Sequence, residues 1–200
     1  MTLSIKSGVA TTLLATLTLA LVSFSSFADY QLLAKDSQLN FVSVKKDSIG
    51  ELHSFKSIDG DIDANGLATV NIDLSSVETG IEIRNERMKS MLFDVKQFST
   101  ATIETQVSLE ALEKLKVGES FHRHVPVSVS LHGKTQSLTA HSDVVKIADN
   151  KIAVYSTKPV LVDAAQFDLV NGIMALQKIA GLPSIATSVP VTFKLVFEQQ

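Results

Sequence analysis

From residue 38 onward the chain alternates apolar and polar positions in short runs, the pattern of strands with one face buried and the other in water. Ala68, Val70, Ile72 and Leu74 alternate with Thr69, Asn71 and Asp73. Val125, Val127, Val129 and Leu131 alternate with Ser128 and Ser130, and Val189, Val191, Phe193, Leu195 and Phe197 with Thr192 and Lys194. Similar runs near residues 38–46, 49–57, 100–109, 136–147 and 151–162 bring the predicted strands to about eight. Asp59-Gly60, Asn65-Gly66, His132-Gly133 and Asp149-Asn150 read as turns between them, short enough for hairpins. The expected fold is all-β: an eight-stranded antiparallel meander closed into a barrel, whose interior holds side chains alone or one small ligand.

Two segments break the alternation. Between Ile81 and Phe93, Arg84, Met88, Met91 and Leu92 fall at helical spacing with Glu86, Arg87 and Lys89 on the other side, which predicts a short amphipathic helix at one barrel end. Between Ala164 and Pro190, Ile173, Leu176, Ile179 and Ala180 suggest one or two helical turns ended by Gly181 and Pro183. A connection of this length in a compact domain is expected to act as a lid or gate.

The first 28 residues have the parts of a secretory signal: basic Lys6, an apolar stretch from about Val9 to Phe24, and the small-residue end Ser26-Phe27-Ala28. Thr11, Thr12, Thr16, Thr18 and Ser23 dilute the stretch, which favours cleavage after Ala28 over a retained anchor. Export leaves residues 29–200 as one domain, expected in the periplasm. Losing Lys6 leaves 17 basic against 21 acidic residues, a formal charge of −4, which disfavours a nucleic-acid partner. With no cysteine there are no disulfides and no lipoprotein anchor, and the remaining 172 residues can bury a core without either.

Ile72-Asp73-Leu74-Ser75-Ser76-Val77-Glu78-Thr79, then Arg84-Asn85, Met88-Lys89-Ser90 and Phe93-Asp94-Val95, resemble the signature stretch of the YceI-like family. Leu131-His132-Gly133-Lys134-Thr135 is similar to the hairpin after that family's middle strands, and Phe167-Asp168 matches loosely near the last strand pair. The resemblance spans nearly all of residues 29–200. It implies an extended lipocalin-like barrel, usually periplasmic in Gram-negative bacteria, that binds polyisoprenoid chains such as quinones or prenyl phosphates in its lumen. The chain departs from the family pattern at Asn85, where Asp is common, and at Met88 and Val44, where His is frequent.

Residue chemistry supports an apolar guest. Phe41, Phe55, Ile72, Leu74, Ile103, Val127 and Phe193 would line an elongated apolar lumen, joined by Ile81, Ile83, Met88, Met91, Leu92 and Phe93 from the first irregular segment and by Phe167 and Met174 from the second. Flexible thioethers suit an irregular guest. Arg84 is the expected head-group ligand, because its planar fork fits a phosphate or carbonyl oxygen, with Asn85 beside it. The partners expected are thus a polyisoprenoid lipid or quinone and, transiently, the membrane with which it exchanges; an exposed edge or apolar lid could also pair two barrels.

Other chemistries find less support. His122-Arg123-His124 puts two imidazoles on one strand face, pointing away from the lumen, but no third ligand is visible, so no metal site is expected. Nor does His53 or His141 have an identifiable partner. No nucleophile elbow or phosphate-cradling loop occurs, and no cofactor is required. Acid/base chemistry on a bound lipid, with Glu82, Glu86 or Asp94 near Arg84, is the alternative enzymatic reading. An envelope stress or interaction protein with a filled core is the other.

Overall fold

The computed structural model describes residues 30–200, so the expected signal at 1–28 lies outside the described residues. The alternating runs form β1 (Tyr30–Leu32), β2 (Gln38–Lys45), β3 (Ile49–Phe55), β4 (Ile58–Ile62), β5 (Leu67–Asp73), β6 (Val77–Glu78), β7 (Thr100–Gln106), β8 (Ser120–Leu131), β9 (Lys134–Ala148), β10 (Lys151–Ser156), β11 (Val160–Asp163) and β12 (Ser188–Gln199). All pairings are antiparallel. The order β1-β4-β5-β7-β8-β9-β10-β12 returns to β1 through pairing of β1 with β12, closing an eight-stranded barrel. The four remaining strands are continuations: β2 extends β1, β3 leads into β4, β6 extends β5, and β11 extends β10.

Breaks within these long strands are patched by hydroxyls. Between β1 and β2 the chain makes a 3-10 turn at Ala34–Asp36, and the buried Ser37 Oγ donates to the Leu33 carbonyl (2.8 Å) while accepting from the Val196 N–H (2.9 Å). Where β10 gives way to β11, Ser156 Oγ accepts from the Phe193 N–H (3.0 Å) and donates to the Phe193 carbonyl (3.3 Å). Each hydroxyl satisfies backbone groups of β12 that a straight neighbour would have paired, so kinking does not orphan them.

Three of the predicted turns are observed. His132-Gly133 has positive φ at both residues (51° and 73°), the type I′ geometry whose twist matches the flanking strands β8 and β9. Asn65-Gly66 closes β4 onto β5 with the Asp63 carboxylate accepting from the Asn65 and Leu67 N–H groups (both 2.8 Å). Asp149-Asn150 joins β9 to β10. Asp59-Gly60, however, is no turn: both residues lie inside β4, paired with Asn71 and Val70. Gly60 is there because a Cβ at that position would strike the Thr69 carbonyl of β5, a close backbone approach that glycine alone permits.

Helices close the two barrel ends. α1 (Glu82–Arg87) runs into a π turn at Met88–Leu92, where the Phe93 N–H reaches back five residues to the Met88 carbonyl (2.9 Å). α3 (Val170–Ile179) packs on that π turn, and Leu169, Ile173, Ala164 and Phe167 make a small apolar cluster beneath it. The short α2 (Leu109–Glu113) sits at the opposite end, with Leu112 buried in the main core. Among the described residues no helix is long and apolar enough to cross a membrane.

Candidate ligand-binding site

Inward-facing side chains of the barrel surround a cavity of about 480 Å³ instead of meeting at its centre. That size falls within the range of small-molecule sites. It runs the length of the barrel, from Leu92, Phe93, Leu169 and Ile173 under α1 and α3 to Val107, Ala111 and Leu112 at the α2 end. The wall between is built by the period-2 alternation of the strands: Phe41, Phe55, Val70, Ile72, Ile103, Val127, Ala140, Val144, Phe193 and Phe197 all face inward.

Five lining residues are polar: Thr105, Gln106, Ser108, Arg123 and Ser142. They come from the end of β7, the start of α2, and directly paired positions of β8 and β9 (Arg123 opposite Ser142). Polarity is therefore confined to one end of the tunnel. At that end the barrel wall parts, because β7 pairs with β8 only over Thr102–Glu104 and Ser128–Ser130. Beyond it the Thr105 hydroxyl donates to the Pro126 carbonyl (2.9 Å), and β8 from Ser120 to Val125 has β9 as its neighbour on one side alone. Pro126 at this free edge sacrifices no ladder bond. Arg123 lines the cavity and is also exposed, so the cavity reaches the surface here. Its guanidinium lies 5.0 Å from the centroid of the Phe121 ring and makes no ion pair among the described residues.

Of the residues expected in the lumen, Phe41, Phe55, Ile72, Leu74, Leu92, Phe93, Ile103, Val127 and Phe193 line the cavity. Six are placed elsewhere. Met88 is buried in the main core and Met91 half-buried, but neither borders the cavity. Phe167 is fully buried in the cluster under α3. Ile81 and Ile83 are exposed because the buried face of α1 and its π turn carries Asn85 and Met88, three residues apart, and the isoleucines fall off it. Met174 is 60% exposed, one helical step past the inward Ile173.

The head-group expectation also moves. Arg84 donates to Glu51 Oε2 (2.8 Å) and to the Thr79 carbonyl (2.6 Å), and Lys45 reaches the same carboxylate (3.0 Å). Burial raises the Glu51 pKa, but Lys45 and Arg84 outweigh it and hold the carboxyl below its ordinary range. Asn85 is buried, accepting from the Thr79 N–H (2.9 Å) and hydroxyl (2.6 Å) and donating to Glu78 (3.2 Å). Neither side chain borders the cavity. Glu82, Glu86 and Asp94 do not border it either. Arg123 was legible as the better candidate: it shares parity with Phe121, Val125 and Val127, a cation on an otherwise apolar inward face.

A family model of the YceI-like domain matches residues 30–197. The chain belongs to the YceI-like family. Among solved structures, this YceI-like domain is similar to a polyisoprenoid-binding domain from Saccharophagus degradans implicated in plant cell wall breakdown, with 38% identity and a TM-score of 0.86 over 87% of this chain and 100% of that one. BcnA of Burkholderia cenocepacia (18% identity, TM-score 0.63, 82% and 98% covered) and the YceI protein of Campylobacter jejuni (13%, 0.55, 74% and 84%) share the fold. A search of curated proteins returns no match.

In this YceI-like domain only Ile72, Leu74 and Phe93 of the signature stretch line the cavity; Val77 and Met88 join the core around it, and the polar residues form a hydrogen-bonded network at the barrel end. Asp73 caps the following 3-10 turn by accepting from the Ser75 N–H (2.8 Å), and Thr79, Asn85, Arg84 and Glu51 tie α1 to β3. Beneath them His53 is buried, its Nε2 sharing a hydrogen bond with Ser43 (2.8 Å) and its ring 5.1 Å from that of Phe41. Desolvation, then the Arg84 charge, pushes the His53 pKa down, so the imidazole is neutral near pH 7.

Proposed function

We propose that the mature domain is a periplasmic carrier of one isoprenoid-type lipid, tail in the tunnel and head group at the β7–β8 opening against Arg123. The observation that carries this reading is the tunnel itself, apolar along its length with a single cation at an open, polar end. The polyisoprenoid-binding description of the Saccharophagus degradans structure supports the ligand class. An unpaired guanidinium favours an anionic head, so a prenyl phosphate is preferred to a neutral quinone.

Magnitudes argue for exchange. Removing a chain from water is worth about 0.8 kcal/mol per CH₂, but the lipid starts in a bilayer, where the tail is already apolar. Transfer between two apolar places is close to neutral, so net affinity comes from shape and head-group contacts. Exposed Leu67 and Val117 lie at the α2 end, where the tunnel opens, an apolar surface suited to transient membrane contact.

Native mass spectrometry of protein taken from the periplasm without detergent, followed by solvent extraction, tests the proposal. A stoichiometric prenyl phosphate is the expected result; a stoichiometric quinone would keep the carrier and remove the anionic head. A bare protein that takes up neither from liposomes would overturn the reading.

A further inference from the structure

The outer face of the β8–β9 hairpin carries a histidine cluster that the lipid site does not use. His124 of β8 is directly opposite His141 of β9, and His122, two residues along the same outward face, is opposite Asp143. Seventeen residues separate His124 from His141 in sequence, and only the strand register brings them together.

The geometry points to a transition-metal site. We infer that His122, His124 and His141 bind one divalent cation of the zinc, copper or nickel type on the outer wall of the barrel. Their three candidate ligand nitrogens lie within 4.8 Å of one another. Nitrogens sharing a tetrahedral ion at about 2.0–2.1 Å stand roughly 3.3 Å apart. His122 Nε2 and His124 Nε2 are 2.8 Å apart, and the His124 and His141 rings are 4.2 Å between centroids, so small rotations of the exposed His122 and His124 about the half-buried His141 reach that spacing.

Two further features favour a metal over a chance grouping. Asp143 Oδ1 lies 2.7 Å from His122 Nδ1, the carboxylate–imidazole arrangement that fixes the tautomer and turns Nε2 toward a cation. His141 Nδ1 is shielded from solvent and has no hydrogen-bond partner, a lone pair or proton that coordination or ring rotation would satisfy. Three imidazoles with no carboxylate among the ligands select borderline-soft ions over Mg²⁺ or Ca²⁺. Three protein ligands leave at least one position open to water. A bound ion would clip β8 to β9 on the reverse side of the strand that carries Arg123.

Untagged protein, stripped with chelator and titrated with Zn²⁺ and with Cu²⁺ by equilibrium dialysis, tests the site. One equivalent is expected to bind, with His141→Gln weakening it by at least tenfold and Asp143→Asn by roughly 10- to 100-fold. His132→Gln, on the hairpin turn, serves as a control expected to change nothing. Binding that survives His141→Gln unchanged, or no binding at all by a protein whose circular dichroism is native, would overturn the proposal. Histidine proton signals shifting together on addition of one equivalent of Zn²⁺ would support it independently of affinity.

Discussion

Gly172 of α3 lies so close to Met91 of the π turn that a Cβ on it would stand 2.7 Å from the Met91 carbonyl oxygen and 2.8 Å from Leu92 Cα. The absent side chain is what lets α3 seat over the barrel end. Gly172→Ala is therefore expected to lift the helix, lowering stability by about 1–3 kcal/mol. Lipid exchange with vesicles should accelerate if α3 is the gate. Urea melts and a transfer assay read the two effects separately; unchanged transfer in a destabilised variant would assign the gate elsewhere.

Arg123→Gln removes the cation of the tunnel mouth while keeping most of its bulk. Loss of a hydrogen bond to a charged group is worth about 1.5–3 kcal/mol, so prenyl-phosphate affinity should fall roughly 10- to 100-fold while a quinone of equal chain length binds as before. Arg84→Gln should do the reverse, sparing affinity and reducing stability, since its partners are Glu51 and Thr79. Equal losses for both lipids in Arg123→Gln would place the head group away from the opening.

Ala140 is buried, lines the cavity and is opposite Val125. Ala140→Phe sends a ring into space that holds no side chain, so the fold should persist with a near-native melting temperature. Co-purified lipid should drop well below one per protein. Full loading by the folded variant would mean that the guest does not occupy the tunnel.

The buried neutral His53 makes stability depend on pH. Its folded pKa is lowered, so below the ordinary histidine value near 6.5 the unfolded chain takes up a proton that the folded protein resists. Its contribution is intact above pH 6.5 and is lost as pH falls toward the folded pKa. His53→Gln should flatten that limb of the urea-midpoint profile relative to the parent. Glu78 acts at lower pH: Lys56, the Gly80 N–H and Asn85 hold its carboxyl at about 2 against an ordinary 4.5. That stabilisation is complete above pH 4.5 and disappears as pH drops toward 2, so Glu78→Gln should shrink the acid limb, to which Glu51 and Asp63 also contribute, and leave the His53 limb in place.

Strands were legible because alternation reports one buried face directly, and every predicted run is found within a few residues. What alternation does not report is where a long strand kinks. Asp59-Gly60 has the composition of a turn, and only the approach of Thr69 explains its place in a ladder. The π turn defeated helical spacing in a similar way, since an extra residue per turn shifts which of Met88, Met91 and Leu92 faces inward. Arg84 looked like a ligand because its partner, Glu51, is 33 residues away on a different strand. His141 was assigned no partner for the same reason: register is a long-range property, and a single sequence shows only what lies next to what.

β12 pairs with β1 and β2 along one flank and with β10 and β11 along the other. Without it, the preceding strands form an open sheet with two bare edges, each a template for pairing with another chain. Closure joins residues about 160 positions apart, such as the Val196 N–H to Ser37 Oγ, and contacts of such long range are slow to form. Two serine hydroxyls, at Ser37 and Ser156, thus stand on the two flanks of the strand that closes the barrel, and the tunnel has an inside only when that seam is sewn.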